Sequence, residues 1–436
     1  MRLAPLAVVA ALLVCAAPAA AIDRYAPMKV PPAPGPAKYD RVWVQHLGPK
    51  DATQVLVLVP GTQGGAGGIT PVARDIVRRV PRTQVWIVDR RQQAFEDASV
   101  FRHRDPAEAL DYYLGFKYHR VLGKDARFVS EWGLGVQLRD LRAVVRRASA
   151  GGRRKVILGG HSAGASTAVA YAAWDFAGHA GYREIDGLVL IDGGLLGSFD
   201  EANAKRARRE LAEIRKGDVF LDLLGIGLPE IAGIFAQVGA LYAYEEPDAP
   251  SALQTFPLLP AEFKPPVTVT NEGLFGYAFD ATTSPAALEL IHVRAGELAA
   301  SGDPRPWQDG ELTPIRRFAQ AYSANDPNAT EWYYPRRLLL DIDAAEDLRQ
   351  NAAARIVGLR LLHGTEIDVP LYAFSTSLTS GAVARGARRL ASMSPRIRRT
   401  SIVDDRRTSH LDPLSAAPQM NHFLKTVVPF LKRSAG

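Results

Sequence analysis

Five residues, Gly160-His161-Ser162-Ala163-Gly164, constrain this chain more than any other stretch. They follow the apolar run Lys155-Val156-Ile157-Leu158-Gly159 and precede an alanine-rich segment, 165–173, with the composition of a buried helix. A strand that must reverse into a helix within one residue forces the residue at the turn into a strained backbone conformation. Its neighbours two before and two after must then be nearly free of side chain, and both are glycine. The residue raised on such a turn is Ser162, in a G-x-S-x-G pattern whose strand-turn-helix context gives it mechanical meaning as a nucleophile elbow.

The rest of the chain supplies a sheet for this turn to sit on. Residues 39–44 alternate as an edge strand does, whereas 54–59 (QVLVLV), 85–88 and 188–191 are short, nearly continuous β-branched or aliphatic runs, as expected of strands buried on both faces. Helical patterns lie between them at 71–80, with Thr70 as cap and Pro71 in the first turn, and at 135–148. Strands alternating with helices imply a doubly wound, mostly parallel α/β sheet. The alternation stops after Gly194. Residues 195–365 carry helical patterns at 201–216, 285–298 and 338–354 among proline-rich loops, and sheet signals return at 369–374 and 400–403 before a closing helix at 421–431. The expected organisation is one sheet domain, 22–194 and 366–436, interrupted by a large, mainly helical cap insertion, 195–365. Residues 92–133 form a smaller excursion with no clear pattern, and 31–36 (PPAPGP) an extended lead-in.

Residues 1–21 read as a secretory signal. Arg2 precedes an apolar run, and Ala19-Ala20-Ala21 offers a small-x-small cleavage site, so the mature chain is expected to begin at Ile22 and to be secreted or held in the cell envelope without stable membrane insertion. Cys15 is the only cysteine and lies inside that signal, which leaves no thiol, disulfide or cysteine metal site. The net charge of +7 comes from arginines scattered in pairs without interleaved aromatics, a pattern of solvated faces rather than of nucleic-acid binding. No His-Glu-x-x-His, Cys/His cluster or acidic loop calls for a metal, and the Gly-rich stretch 63–68 lacks the endings of a nucleotide loop, so no cofactor is expected.

With its elbow, strand-helix alternation and closing helix, the chain resembles the α/β-hydrolases over residues 22–194 and 366–436. The resemblance implies a triad in the order nucleophile, acid, histidine. Ser162 is the nucleophile. His410, in Thr408-Ser409-His410-Leu411-Asp412, lies between the last expected strand and the closing helix and takes the place of the general base, with His422 as fallback. His161, inside the elbow, is expected to be structural and to point away from the reaction centre. The acid departs from the family pattern, because no Asp or Glu occurs anywhere in 369–403. Asp192, at the end of the 188–191 strand, is the expected acid, with Asp404 or Asp405 as alternatives. The oxyanion donors expected by resemblance are the Ala163 N–H and Thr62, in a Pro60-Gly61-Thr62 loop similar to that of some lipases, with glycines at 64–68 letting backbone approach a substrate.

Function then reads as hydrolysis of small-molecule or lipid-like carboxylic esters with an apolar acyl or alcohol part. Peptidase, thioesterase and acyltransferase chemistry share the same triad, and a non-catalytic binding module for cell-surface lipid or polymer is the reading from a different class. A serine rather than an aspartate at the elbow speaks against dehalogenase or epoxide-hydrolase chemistry. The apolar segment 219–244 is expected to roof an acyl pocket. Glu331-Trp332-Tyr333-Tyr334-Pro335 either lines its mouth or anchors the cap.

Overall fold

A computed structural model describes residues 21–198, 201–324 and 326–435. Eight strands form one sheet: β1 (Ala21–Lys29), β2 (Arg41–Pro49), β3 (Gln54–Val59), β4 (Thr83–Asp89), β5 (Lys155–His161), β6 (Gly187–Ile191), β9 (Leu371–Ser375) and β10 (Thr400–Asp404). The two missing numbers, β7 (Gly296–Leu298) and β8 (Trp307–Asp309), pair only with each other. The spatial order is β1-β2-β4-β3-β5-β6-β9-β10. Pairing is antiparallel at β1–β2 and β2–β4 and parallel at every other contact.

The continuous apolar runs are explained by helices on both faces. Val55, Val57 and Val59 of β3 pack with α2 (Leu134–Ser149) and α3 (Ala163–Ala173), while Leu56 and Leu58 face α1 (Ala66–Arg79) and the terminal helix described below. A strand buried on both sides has no polar face, so it reads as a run rather than an alternation. The edge strand β1 has the opposite problem. Its residues are half-exposed or exposed along their whole length, Pro27 sits among them, and nothing in AIDRYAPMK alternates. The expected export segment lies, apart from Ala21, outside the described residues.

Helix α1 begins at Ala66, five residues before the expected start, and encloses Pro71. The glycines at 65 and 67 look like loop but are packing requirements. A Cβ on Gly65 would stand 2.3 Å from Asn328 O, and one on Gly67 2.5 Å from Pro327 O. The same approach satisfies backbone donors at the start of the helix: Gly65 N–H and Gly67 N–H donate to Ala329 O and Asn328 O at 2.8 Å each, and Ala66 N–H donates to Asp89 Oδ1 at 2.7 Å. Thr70 is therefore no cap. Its hydroxyl donates to Ala66 O inside the helix.

Between β6 and β9 the described chain forms α4 (Ala204–Lys216), α5 (Ile231–Glu245), α6 (Asn271–Phe279), α7 (Ile315–Tyr322), α8 (Arg336–Ala344) and α9 (Ala352–Val357). After β9 come α10 (Ala382–Met393) and the closing α11 (His422–Ala435). Two helical patterns fail here. The 285–298 stretch is a short 3-10 turn, Ala286–Ile291, followed by β7, because Val293 and Ala295 are drawn to Phe279 O and Asp280 Oδ2. The 338–354 stretch is broken after Ala344, where Asn351 caps α9 through Ala354 N–H at 2.7 Å. Residues 92–133, unplaced by pattern, become 3-10 turns and single helical turns that supply an aromatic layer. Phe95 meets Phe220 and Tyr333 at 6.0 and 6.1 Å, and Tyr113 meets Trp332 at 5.7 Å. Trp332, Tyr333 and Tyr334 are fully buried in this layer, so they anchor the helical region and do not form a mouth.

Two glycine substitutions separate packing from propensity. Alanine for a helical glycine ordinarily gains up to about 1 kcal/mol. Gly67→Ala is expected to lower Tm nonetheless, because its Cβ meets three backbone atoms of 327–329 within 2.7 Å, an overpacking cost of about 1–3 kcal/mol. Gly239→Ala in α5, whose nearest atoms would be 3.5 Å away, is expected to keep or raise Tm in the same thermal-unfolding measurement.

Candidate active site

The turn at Ser162 has φ +54° and ψ −126°, a left-handed region that non-glycine residues rarely enter. Four glycines make it possible. A Cβ on Gly160 would lie 2.3 Å from Gly164 C, and one on Gly164 2.0 Å from Val59 O. A Cβ on Gly193 would lie 2.1 Å from Ser162 O, and one on Gly61 2.9 Å from Ser162 Cβ. The elbow is thus wedged between the ends of β3 and β6, with Ser162 N–H donating to Ile191 O at 2.9 Å. Strain of this kind costs on the order of 1–3 kcal/mol and persists only where the surroundings enforce it.

His410 lies in the loop after β10 and is buried. Its Nδ1 is 2.6 Å from Asp192 Oδ2. Asp192 immediately follows β6, with a positive φ of its own (+43°) and no exposed surface. It also accepts the Thr376 N–H at 2.7 Å and the Thr376 hydroxyl. Burial pushes this carboxyl up, but the hydrogen bonds from His410 and Thr376 outweigh it and hold Asp192 below the usual carboxylate range. Thr376 is the second residue of Ser375-Thr376-Ser377 at the end of β9, where the sequence lacks an acid. The threonine there reaches across to the acid at the end of the neighbouring strand.

Asp405 and His422, each a fallback in the sequence reading, pair with one another: Asp405 Oδ2 is 2.5 Å from His422 Nδ1 and also holds Arg407. Asp404 faces Arg406 at 3.6 Å. His161 does not point away from the centre. Its ring lies 4.3 Å from that of His410, and its Nε2 is 2.9 Å from His410 O, a contact that makes Nε2–H the donor. Burial first, and then the neighbouring imidazole, lower its pKa to about 3, so it stays neutral while bracing the His410 backbone.

Several supports came with no motif to announce them. The buried Asp412 accepts Ser409 N–H at 2.7 Å, Thr313 hydroxyl at 2.7 Å and Arg294 N–H at 3.0 Å, tying the His410 loop to the helical region. Buried Arg90 donates to Pro60 O at 2.5 Å and to Glu331 Oε2 at 2.7 Å, and its guanidinium lies over Tyr334. It therefore fixes the Pro60-Gly61-Thr62 loop from behind. Buried charges with hydrogen-bonded partners in the right places are the only signal such residues carry, and that signal is tertiary.

Ser162, His410, Thr62 and Ala163 line one cavity of about 660 Å³. The sheet side also contributes His161 and the glycines at 61, 64, 65 and 68. Leu221, Leu223, Ala236, Phe279, Ile291 and Ile342 close it from the 195–365 region. Among the described residues no group of three or more His, Cys, Asp or Glu side chains is arranged to hold a metal ion.

The opposing effects on Asp192 can be separated by experiment. Thr376→Val removes the hydroxyl donor and keeps the backbone one. The Asp192 carboxyl, followed by carboxyl NMR, is expected to titrate at higher pH in that variant and to return toward the wild-type value in Thr376→Ser. An unchanged titration in Thr376→Val would show that the threonine has no hold on the acid.

No protein-family model matches this chain, and no curated protein matches it. Solved structures do. A candidate lipase from Sulfolobus solfataricus superposes with a TM-score of 0.52 at 15% identity, covering 95% of this chain and 94% of that one. A thermophilic esterase from Thermogutta terrifontis gives 0.42 at 12% identity over 95% and 100% of the two chains. An alpha/beta hydrolase fold protein from Nakamurella multipartita gives 0.38 at 13% over 94% and 99%. At 15% identity the likeness to the Sulfolobus chain speaks to architecture alone, and it agrees with the strand order and the elbow: this chain has the α/β-hydrolase fold.

Proposed function

We propose that this protein is an exported serine hydrolase that cleaves carboxylic esters with an apolar acyl or alcohol part. One observation carries the reading: His410, which lines the same cavity as Ser162, has its Nδ1 2.6 Å from a buried carboxylate, Asp192. With Nδ1–H given to Asp192, His410 Nε2 keeps its lone pair and takes the Ser162 hydroxyl proton as Oγ bonds to the ester carbon. The carbonyl oxygen becomes an oxyanion held by the N–H groups of Ala163 and Thr62. Collapse expels the alcohol, which leaves with the proton from His410. Water repeats the sequence on the acyl-Ser162, releasing the acid and restoring the serine.

Asp192 keeps the imidazole in the productive tautomer and stabilises its cationic form. Its low pKa suits that role, because the carboxylate stays charged across the neutral range. Residues 195–365 act as the cap. Their apolar side chains over Ser162 support a preference for acyl carbon, each buried methylene being worth up to about 0.8 kcal/mol, or roughly fourfold. No helix among the described residues is long and apolar enough to cross a membrane. Export with cleavage after Ala21 belongs to the same proposal.

Ser162→Ala is expected to abolish ester hydrolysis and labelling by a fluorophosphonate while leaving the circular dichroism spectrum unchanged. Wild-type turnover in that variant overturns the mechanism. Asp192→Asn is expected to depress kcat by about 10⁴-fold, as loss of a triad acid does, with Asp405→Asn far milder. From acetate to octanoate, kcat/KM should rise severalfold per added pair of carbons, and a flat or falling series refutes the apolar cap. Secreted material should begin at Ile22 on N-terminal sequencing.

A further inference from the structure

A second cavity, of about 110 Å³, lies beyond the first, between α5 and α6 and the 251–263 loop. The two are neighbours, with Leu223, Ala232, Ala236, Phe279 and Ile291 lining both. The second contains neither Ser162 nor His410, and the roles assigned so far leave it without a use. Its lining is mainly aliphatic and aromatic, with Ser251, whose buried hydroxyl has no hydrogen-bond partner, at one side. The Asn271 amide that reaches it is already committed to Glu246 O and the Ala252 N–H.

The passage is written into α5. Ala232, Ala236 and Gly239 recur at helical spacing on the face turned to the cavities, with Phe235 and Tyr242 beside them on the second, while Ile234, Val238 and Leu241 bury their bulk elsewhere. Larger side chains at the three small positions would fill the space. From Ala232 to Gly239 the helix rises about 10 Å at 1.5 Å per residue, the reach of roughly eight carbons of extended chain. An engineered apolar cavity of about 150 Å³ holds a benzene ring, so the space past Ala236 suits an alkyl end of about four carbons.

We infer that this second cavity takes the distal end of a long acyl chain, and that the substrates are fatty acyl esters whose chains run from Ser162 beneath α5 into it. This rests on the ester-hydrolase reading of Ser162 and makes it specific. The acyl carbonyl sits at Ser162, the first carbons fill the large cavity, and the chain end passes Ala236 to lie against Gly239, Phe275 and Leu253.

The test uses p-nitrophenyl esters from butyrate to palmitate, kept below their aggregation limits, on the full protein. Gly239→Leu places its Cβ between Phe275 and Leu253, where contacts of 3.5 and 3.6 Å are tolerable, and fills the second cavity with the rest of the side chain. Phe263→Ala opens the far end from a half-buried position. In wild type, kcat/KM should keep rising beyond octanoate to about dodecanoate, since each methylene buried adds up to about fourfold. Gly239→Leu should cut the dodecanoate-to-hexanoate ratio of kcat/KM at least tenfold, and Phe263→Ala should move the optimum to longer chains. An unchanged ratio in a folded Gly239→Leu overturns the inference. Should that variant not fold, an unmoved optimum in Phe263→Ala overturns it equally. Failure of Ser162 to react with a fluorophosphonate would defeat the hydrolase reading itself. A reactive Ser162 with identical chain-length profiles in all three proteins would defeat only the second cavity.

Discussion

The left-handed backbone at Ser162 is the constraint around which the rest is arranged. A serine cannot hold φ +54° unless its surroundings leave it no alternative, and here they come from three separate stretches of chain. Gly61 follows β3, Gly160 lies within β5, Gly164 starts α3 and Gly193 follows β6. Each must lack a Cβ because neighbouring chain occupies that space, backbone at Gly160, Gly164 and Gly193 and the Ser162 side chain at Gly61. The parallel pairing β3–β5–β6 brings these segments together at one edge, and that edge is where a doubly wound sheet presents its ligands. The strain is offset by the burial of β3, β5 and β6, so that the turn is paid for by the core beneath it.

A second arrangement links the sheet to the helical region. The segment 327–332 presses its carbonyls onto the first turn of α1, sends Glu331 to Arg90 and buries Trp332 among Tyr113 and Tyr118. Arg90 in turn holds Pro60 O, on the loop that contains Thr62. On the other side, Asp412 and Leu411 join the His410 loop to Thr313, Arg294 and His292. Both loops that flank Ser162 are therefore held by the region that also roofs it. Substitutions in that region can alter the floor of the cavity as well as its ceiling.

Asp192 shows how opposing terms set a functional state. A carboxylate with no exposed surface would by burial alone be driven toward protonation. Two donors from Thr376 and one from His410 reverse that. The sequence has Asp192 at the end of β6 and a hydroxyl at the end of β9, and the adjacency of those strands makes the pair work.

Much of this was legible in the sequence, for local reasons. Buried parallel strands read as β-branched runs, the elbow as glycines flanking a serine between a strand and a helix, and position after the last strand narrows nine histidines to His410 and His422. Backbone sterics and side-chain burial act within a few residues, so they leave a trace in the string. The edge strand β1, the early start of α1, the 3-10 turn at Ala286–Ile291 and the aromatic layer of 92–133 left none. Nearer partners, β2 and Asp280, decide β1 and the 3-10 turn, and partners far along the chain, the carbonyls at 327–329 and Trp332, decide the start of α1 and the aromatic layer. The same holds for the contacts of His161 with His410 and of Thr376 with Asp192, and for the passage beneath α5. Local sequence chose which residues were able to do chemistry, and long-range packing chose which of them meet.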